Sequence, residues 1–342
     1  MSTILLAILA MTVVNVETPL HFSSGQIQIW HFVPVITFGD DDAEILGKNV
    51  ASVINDNGRY YLLDTQAKKV IIIEAEGVFD YHSFEGEGPG ETWGASDLVK
   101  LTDRYLGLLF PLAPKLIITE FQLQPNLPSP MPFEIFGVAR NMEWNGNVFA
   151  LHTKDLVEDE MYFYLAVFEK DGARRADIYR DQCESCFPLW WLDQGRYALA
   201  DSSIFMVPGE DYLIKEFSLS GSLLRTIKQT DYPHRSLLYA EDEYYSSARL
   251  SLEHSPDIHS LHYVNDQLLV LTSATTVGDT LSFNSYYDDD AGKVIVQGPR
   301  PSPTARYFWL DGNHLAIVYG AMQASTENSD RHEVVIFERT EP

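Results

Sequence analysis

Short strand-like runs recur along this chain at intervals of roughly 45 residues, each opened by a tight turn signal, and helical periodicity is nearly absent. Arg59–Asp64 follows Asn55-Asp56-Asn57-Gly58, and Asn147–His152 follows Asn145-Gly146. Arg196–Asp201 follows Asp193-Gln194-Gly195, Gln267–Thr272 follows Asn265-Asp266, and Asn313–Val318 follows Asp311-Gly312. Each pairing of Asn, Asp and Gly with an apolar run is a hairpin signal before an inner strand. A second strand-like run follows each one, at 69–74, 161–169, 212–218, 280–286 and 332–338. A further copy with weaker turn chemistry covers 101–109 and 115–122. The copies begin near residues 49, 95, 137, 187, 258 and 304.

That spacing suits four-stranded antiparallel blades, so the expectation is an all-β, six-bladed β-propeller in one domain over residues 26–342. The last copy lacks a fourth strand. The run from Gln26 to Phe38 is expected to supply it and so close the ring, removing an open sheet edge. A longer interval after residue 187 points to an insertion at about 231–254, and the four prolines within 123–132 read as a stiff loop.

Composition narrows the function. An apolar share of 45% supports a real core, and the 12% aromatic share suits strands. The formal charge of −25 repels phosphate backbones, so no nucleic acid is expected as a partner. The apolar run within residues 1–16 is too short to span a bilayer and fits the core of a signal peptide. Periplasmic or extracellular residence is therefore expected, with no transmembrane segment. The two cysteines, Cys183 and Cys186, form a lone C-x-x-C. Export favours a small loop disulfide over a redox pair, and a zinc site would need two further ligands.

The first repeat runs into Phe84-Glu85-Gly86-Glu87-Gly88-Pro89-Gly90-Glu91, whose glycines and proline bar helix or ladder interior. With Asp64, Val70–Ile73 and Gly77 before it, the Gly86–Glu91 turn resembles bacterial six-bladed propellers related to NHL-repeat proteins. The resemblance is distinctive over about forty residues and implies a fold more than an activity.

No catalytic set stands out. The Gly86–Gly90 loop lacks the Lys-Ser/Thr and following helix of a phosphate cradle. The acidic runs 39–44 and 287–292 lack calcium-loop spacing and read as solvated turns. His259 and His262, three apart in a strand, would face opposite ways. Binding is assigned to Trp190, Trp191, Arg235, Tyr244, Tyr245 and His259, which are aromatic, cationic or polar groups on or near connecting segments. The leading expectation is a non-enzymatic binding or scaffold module for a protein, peptide or glycan, with no metal and no cofactor. The alternative is a metal-dependent lyase or hydrolase holding Ca²⁺ or Zn²⁺ in the central channel.

Overall fold

The computed structural model describes residues 17–19, 27–39, 50–74, 77–83, 95–110, 115–120, 131–132, 138–157, 160–182, 197–207, 213–228, 258–272, 280–287, 290–302, 305–319 and 333–340. All regular structure among them is strand. Two strands come first, β1 (Glu17–Pro19) and β2 (Ile27–Gly39). Then β3 (Val50–Asp56), β4 (Arg59–Asp64), β5 (Lys69–Glu74) and β6 (Gly77–Ser83) form an antiparallel meander. A second unit has β7 (Asp97–Lys100), β8 (Tyr105–Phe110), β9 (Lys115–Glu120) and β10 (Met131–Pro132). A third has β11 (Val138–Trp144), β12 (Val148–Val157), β13 (Glu160–Glu169) and β14 (Arg174–Gln182).

The fourth unit has β15 (Tyr197–Leu199), β16 (Ser203–Met206), β17 (Leu213–Ser218) and β18 (Leu223–Lys228), with β1 lying parallel to β18. The fifth has β19 (Ile258–Val264), β20 (Gln267–Thr272), β21 (Leu281–Tyr287) and β22 (Asp290–Gln297). The chain then forms β23 (Arg306–Trp309), β24 (His314–Tyr319) and β25 (Glu333–Thr340). The long strand β2 lies between the last two groups. Residues from His31 to Gly39 pair antiparallel with β25, and Ile27 to His31 pair parallel with β22. Together these strands make one eight-stranded sheet.

Local chemistry explains the hairpins. The β3–β4 turn places Asn57 and Gly58 at φ of 54° and 84°. The β19–β20 turn places Asn265 and Asp266 at 49° and 61°. Two successive left-handed residues match the right-handed twist of the flanking strands, and Asn, Asp and Gly tolerate that conformation best. Asn55 Oδ1 also accepts the Gly58 N–H at 3.1 Å, fixing the entry to the turn.

The middle strands of each unit read as continuous apolar runs because both of their faces are covered. In β4, Tyr61 and Leu63 pack with Leu98, Leu106 and Phe110 of the second unit. Their neighbours Tyr60 and Leu62 pack with Ala316, Val318, Val334 and Ile336 of β24 and β25. Each remaining apolar cluster likewise straddles two successive units. The largest fully buried side chains, Tyr61, Phe149, Phe168 and Phe283, sit in these clusters, and each burial stabilises by about 1.5–3 kcal/mol.

Three expectations need correction. Tyr197–Leu199 is the first strand of its unit, and the turn follows it at Asp201–Ser202, so the copy expected there is one strand out of phase. Arg196 lies outside the described residues, and the hairpin is made by Ser203, whose carbonyl accepts the Ala200 N–H. In the 101–109 copy the strand begins only at Tyr105, because Thr102 Oγ1 caps a turn by accepting the Arg104 and Tyr105 N–H groups. The Met131–Pro132 end of the proline-rich stretch is not loop but a short strand paired with Leu116 and Lys115.

Candidate functional site: the innermost strands

The first strand of each unit lies alongside the first strand of its neighbour, from β3 to β7, β11, β15, β19 and β23. Polar side chains on these strands reach across the seams. Ser52 Oγ on β3 donates to Asp97 Oδ1 on β7. The Leu98 N–H donates to both Asp97 Oδ1 and Ser52 Oγ, at 2.8 and 3.1 Å. Asp97 Oδ2 accepts the Met142 N–H of β11 at 2.6 Å. One unit further on, Glu143 Oε2 accepts the Leu199 N–H of β15 at 2.5 Å. On the other side of β3, Arg306 Nη1 of β23 donates to the Val50 carbonyl at 3.0 Å.

Ser52, Asp97 and Met142 stand 45 residues apart in sequence. The latch is therefore a feature of the repeat. A second tier joins the hairpin ends. Trp144 Nε1 donates to the Leu101 carbonyl at 3.0 Å, and Asn145 Nδ2 to the Ala200 carbonyl at 2.8 Å. Lys100 Nζ pairs with Asp56 at 3.2 Å, and Asn55 Nδ2 donates to Asp311 Oδ2 at 3.1 Å.

Burial sets the electrostatics. It pushes the Asp97 carboxyl up to about 6, against the hydrogen bonds from Ser52, Met142 and Leu98 that favour the anion. It pushes Glu143 up to about 8, where the Leu199 N–H opposes it and the neighbouring Asp97 charge adds to it. At neutral pH Asp97 is mainly ionised, and Glu143 mainly carries its proton. Burial also raises the Tyr197 phenol well above its usual range, with Glu143 and Asp97 adding to the effect. The Tyr197 hydroxyl donates to the Ala150 carbonyl at 3.3 Å. Asp97, Glu143 and Arg306 lie deep in the protein yet keep some accessible surface. Strongly shifted acids in such a place are candidates for function. Here their hydrogen bonds give them a structural role, because each one joins adjacent sheets.

No family model matches this sequence, and no curated protein does. Solved structures do match in shape. A Bacteroides fragilis NCTC 9343 protein classed as exported superposes over 93% of this chain and 100% of its own, with a TM-score of 0.53 and 11% identity. Regucalcin of Agrobacterium tumefaciens C58, a calcium-binding protein, gives 0.52 over 91% and 95% of the two chains, at 9% identity. A member of the DUF4221 family from Bacteroides vulgatus gives 0.53 over 92% and 97%, at 11% identity.

The fold is β-propeller-like.

At these identities the likeness concerns the propeller-like fold alone. The Gly86–Glu91 turn of the NHL-type resemblance lies outside the described residues. So do Trp190, Trp191, Arg235, Tyr244, Tyr245, the Cys183/Cys186 pair and the 231–254 insertion. His259 lies in β19, whose register against β20 shifts between Ile258 and Ser260. Among the described residues no three His, Cys, Asp or Glu side chains gather as a metal site, and no helix is long and apolar enough to cross a membrane.

Asp97, Glu143, Tyr197 and Arg306 were not singled out from sequence. Their common signal is position. Each lies on the first strand of a repeat, a few residues before its hairpin turn.

Proposed function

We propose that residues 26–342 form one six-bladed β-propeller, closed where β2 completes the last blade. The β2–β25 pairing and the cluster joining β24 and β25 to β4 and β5 support this reading. We further propose that the chain is exported to the periplasm or beyond. There it would act as a non-enzymatic binding or scaffold module for a protein, peptide or glycan. One observation carries the non-catalytic reading. The Asp97 carboxylate, the deepest ionised acid of the inner strands, has both oxygens engaged by donors that tie three sheets together. A base so occupied is poorly placed to accept a substrate proton. Recognition then falls to the connecting segments and the strand end beside them, with Trp190, Trp191, Arg235, Tyr244, Tyr245 and, on β19, His259 as the expected contacts.

The second reading is a metal-dependent lyase or hydrolase. Glu143 favours it, because a carboxyl raised to about 8 can serve as a general acid. A thermal melt of the chelator-treated chain with added Ca²⁺ or Zn²⁺ separates the two. The binding-module reading expects no shift with either ion. A saturable rise of several degrees at micromolar metal would overturn it. Screening on peptide and glycan arrays completes the test. Binding should be lost when residues 231–254 are replaced by a Gly-Ser linker, with the melt unchanged.

A further inference from the structure

Among the described residues the deep charged groups have polar partners that suit them. Asp97 takes three donors, and Asp64 Oδ1 takes the Gln66 and Ala67 N–H groups at 3.0 and 2.8 Å. Glu216 is met by Ser203 and Arg225. Arg306 is the exception. A guanidinium carries five N–H donors in a planar fork. Here one hydrogen bond is made, to the neutral Val50 carbonyl, and no carboxylate stands within ion-pair distance among the described residues.

Burial alone acts on this group and lowers it to about 10, so it remains charged at neutral pH. A buried cation with no counter-ion is costly, and natural interiors rarely leave one unpaired. Arg306 also keeps some accessible surface. Its place in the fold is specific. Phe308, two residues on along β23, packs into the cluster between the last and first units, and Val50 belongs to that same cluster. Arg306 thus stands at the inner end of the seam where the two ends of the repeat array meet.

We propose that Arg306 anchors a small carboxylate anion at the inner end of the β23–β3 seam. The planar fork matches the two oxygens of a carboxylate and can hold them bidentately. A singly charged anion suits the site better than phosphate, because the chain carries a net charge of −25. The inference is independent of the partner reading above, and a partner screen without hits would leave it standing.

The test uses the full chain, melted in sodium acetate, sodium phosphate or sodium chloride at equal ionic strength, with calorimetric titration alongside. Acetate should raise the midpoint saturably by about 2 °C or more over chloride. Arg306→Met should abolish that rise. Arg306→Lys, which keeps the charge but loses the fork, should bind acetate at least about tenfold more weakly. No saturable rise in the unaltered chain, or a rise that persists in Arg306→Met, would overturn the assignment. If Arg306→Met does not fold, Arg306→Lys decides, since an unchanged acetate affinity there would rule out the fork. A larger saturable effect of phosphate than of acetate would refute the carboxylate class.

Discussion

Asp97 collects donors from Ser52, Leu98 and Met142 on a single carboxylate. Removing it leaves the Met142 N–H and the Ser52 hydroxyl short of an acceptor in a poorly solvated place, while the Leu98 N–H keeps only Ser52 Oγ. Asp97→Ala should therefore lower stability by about 2–4 kcal/mol in urea unfolding. Asp97→Asn, which keeps one carbonyl oxygen, should lose less. Glu143 has a different signature. Its folded carboxyl titrates near 8 rather than at the ordinary 4.5, so the native state holds the proton more tightly than the unfolded chain does. Ionisation then costs stability progressively as pH climbs from about 4.5 towards 8, and the loss is complete above that range. The chain should be more stable at pH 5 than at pH 9, and Glu143→Gln should flatten that slope in pH-dependent melts. Neither residue was legible in the sequence. An acid on an inner strand looks like any other until the neighbouring repeat is brought beside it. Beyond their place before a hairpin turn, the one clue, for Asp97 alone, is the 45-residue spacing of Ser52, Asp97 and Met142.

At the scale of elements, the strands with both faces covered were the most legible. Arg59–Asp64 and Lys69–Glu74 were expected and are found with those same bounds, since an apolar run between turn residues has few other fates. Strands whose turns lack Asn-Gly or Asp-Gly were harder to place. The expectation puts Tyr197–Leu199 one strand late, because a three-residue strand carries little periodicity of its own. One glycine pins an element junction that sequence could not reveal. Gly298, just after β22, has φ of 112°, and a Cβ there would stand 2.0 Å from the Phe32 carbonyl oxygen of β2. That oxygen cannot retreat, because β2 is held by β22 on one side and β25 on the other. Gly298→Ala should cost about 3 kcal/mol or more, visible as a lower melting midpoint and easier proteolysis.

For the whole molecule, the all-β propeller-like architecture followed from the recurrence of hairpin signals, and the shape similarity to solved structures agrees with it. Function was less legible, because the connecting segments that would carry recognition have no repeat to read them against. The placement of β2 carries a consequence in time. His31 and Thr340 are hydrogen-bonded across 309 residues. β2 thus emerges before its β25 partner by a delay on the order of 15–60 s at ribosomal rates. Until then Trp30, Phe32 and Phe38, buried in the finished protein, have no β25 to cover them. Pairings this distant also slow refolding, because a long loop must close before any contact repays it. A circular permutant opened between β2 and β3, with β2 joined after β25, turns that pairing into a local hairpin. It should refold measurably faster than the natural order when followed by tryptophan fluorescence. Equal rates would mean that some other step limits assembly.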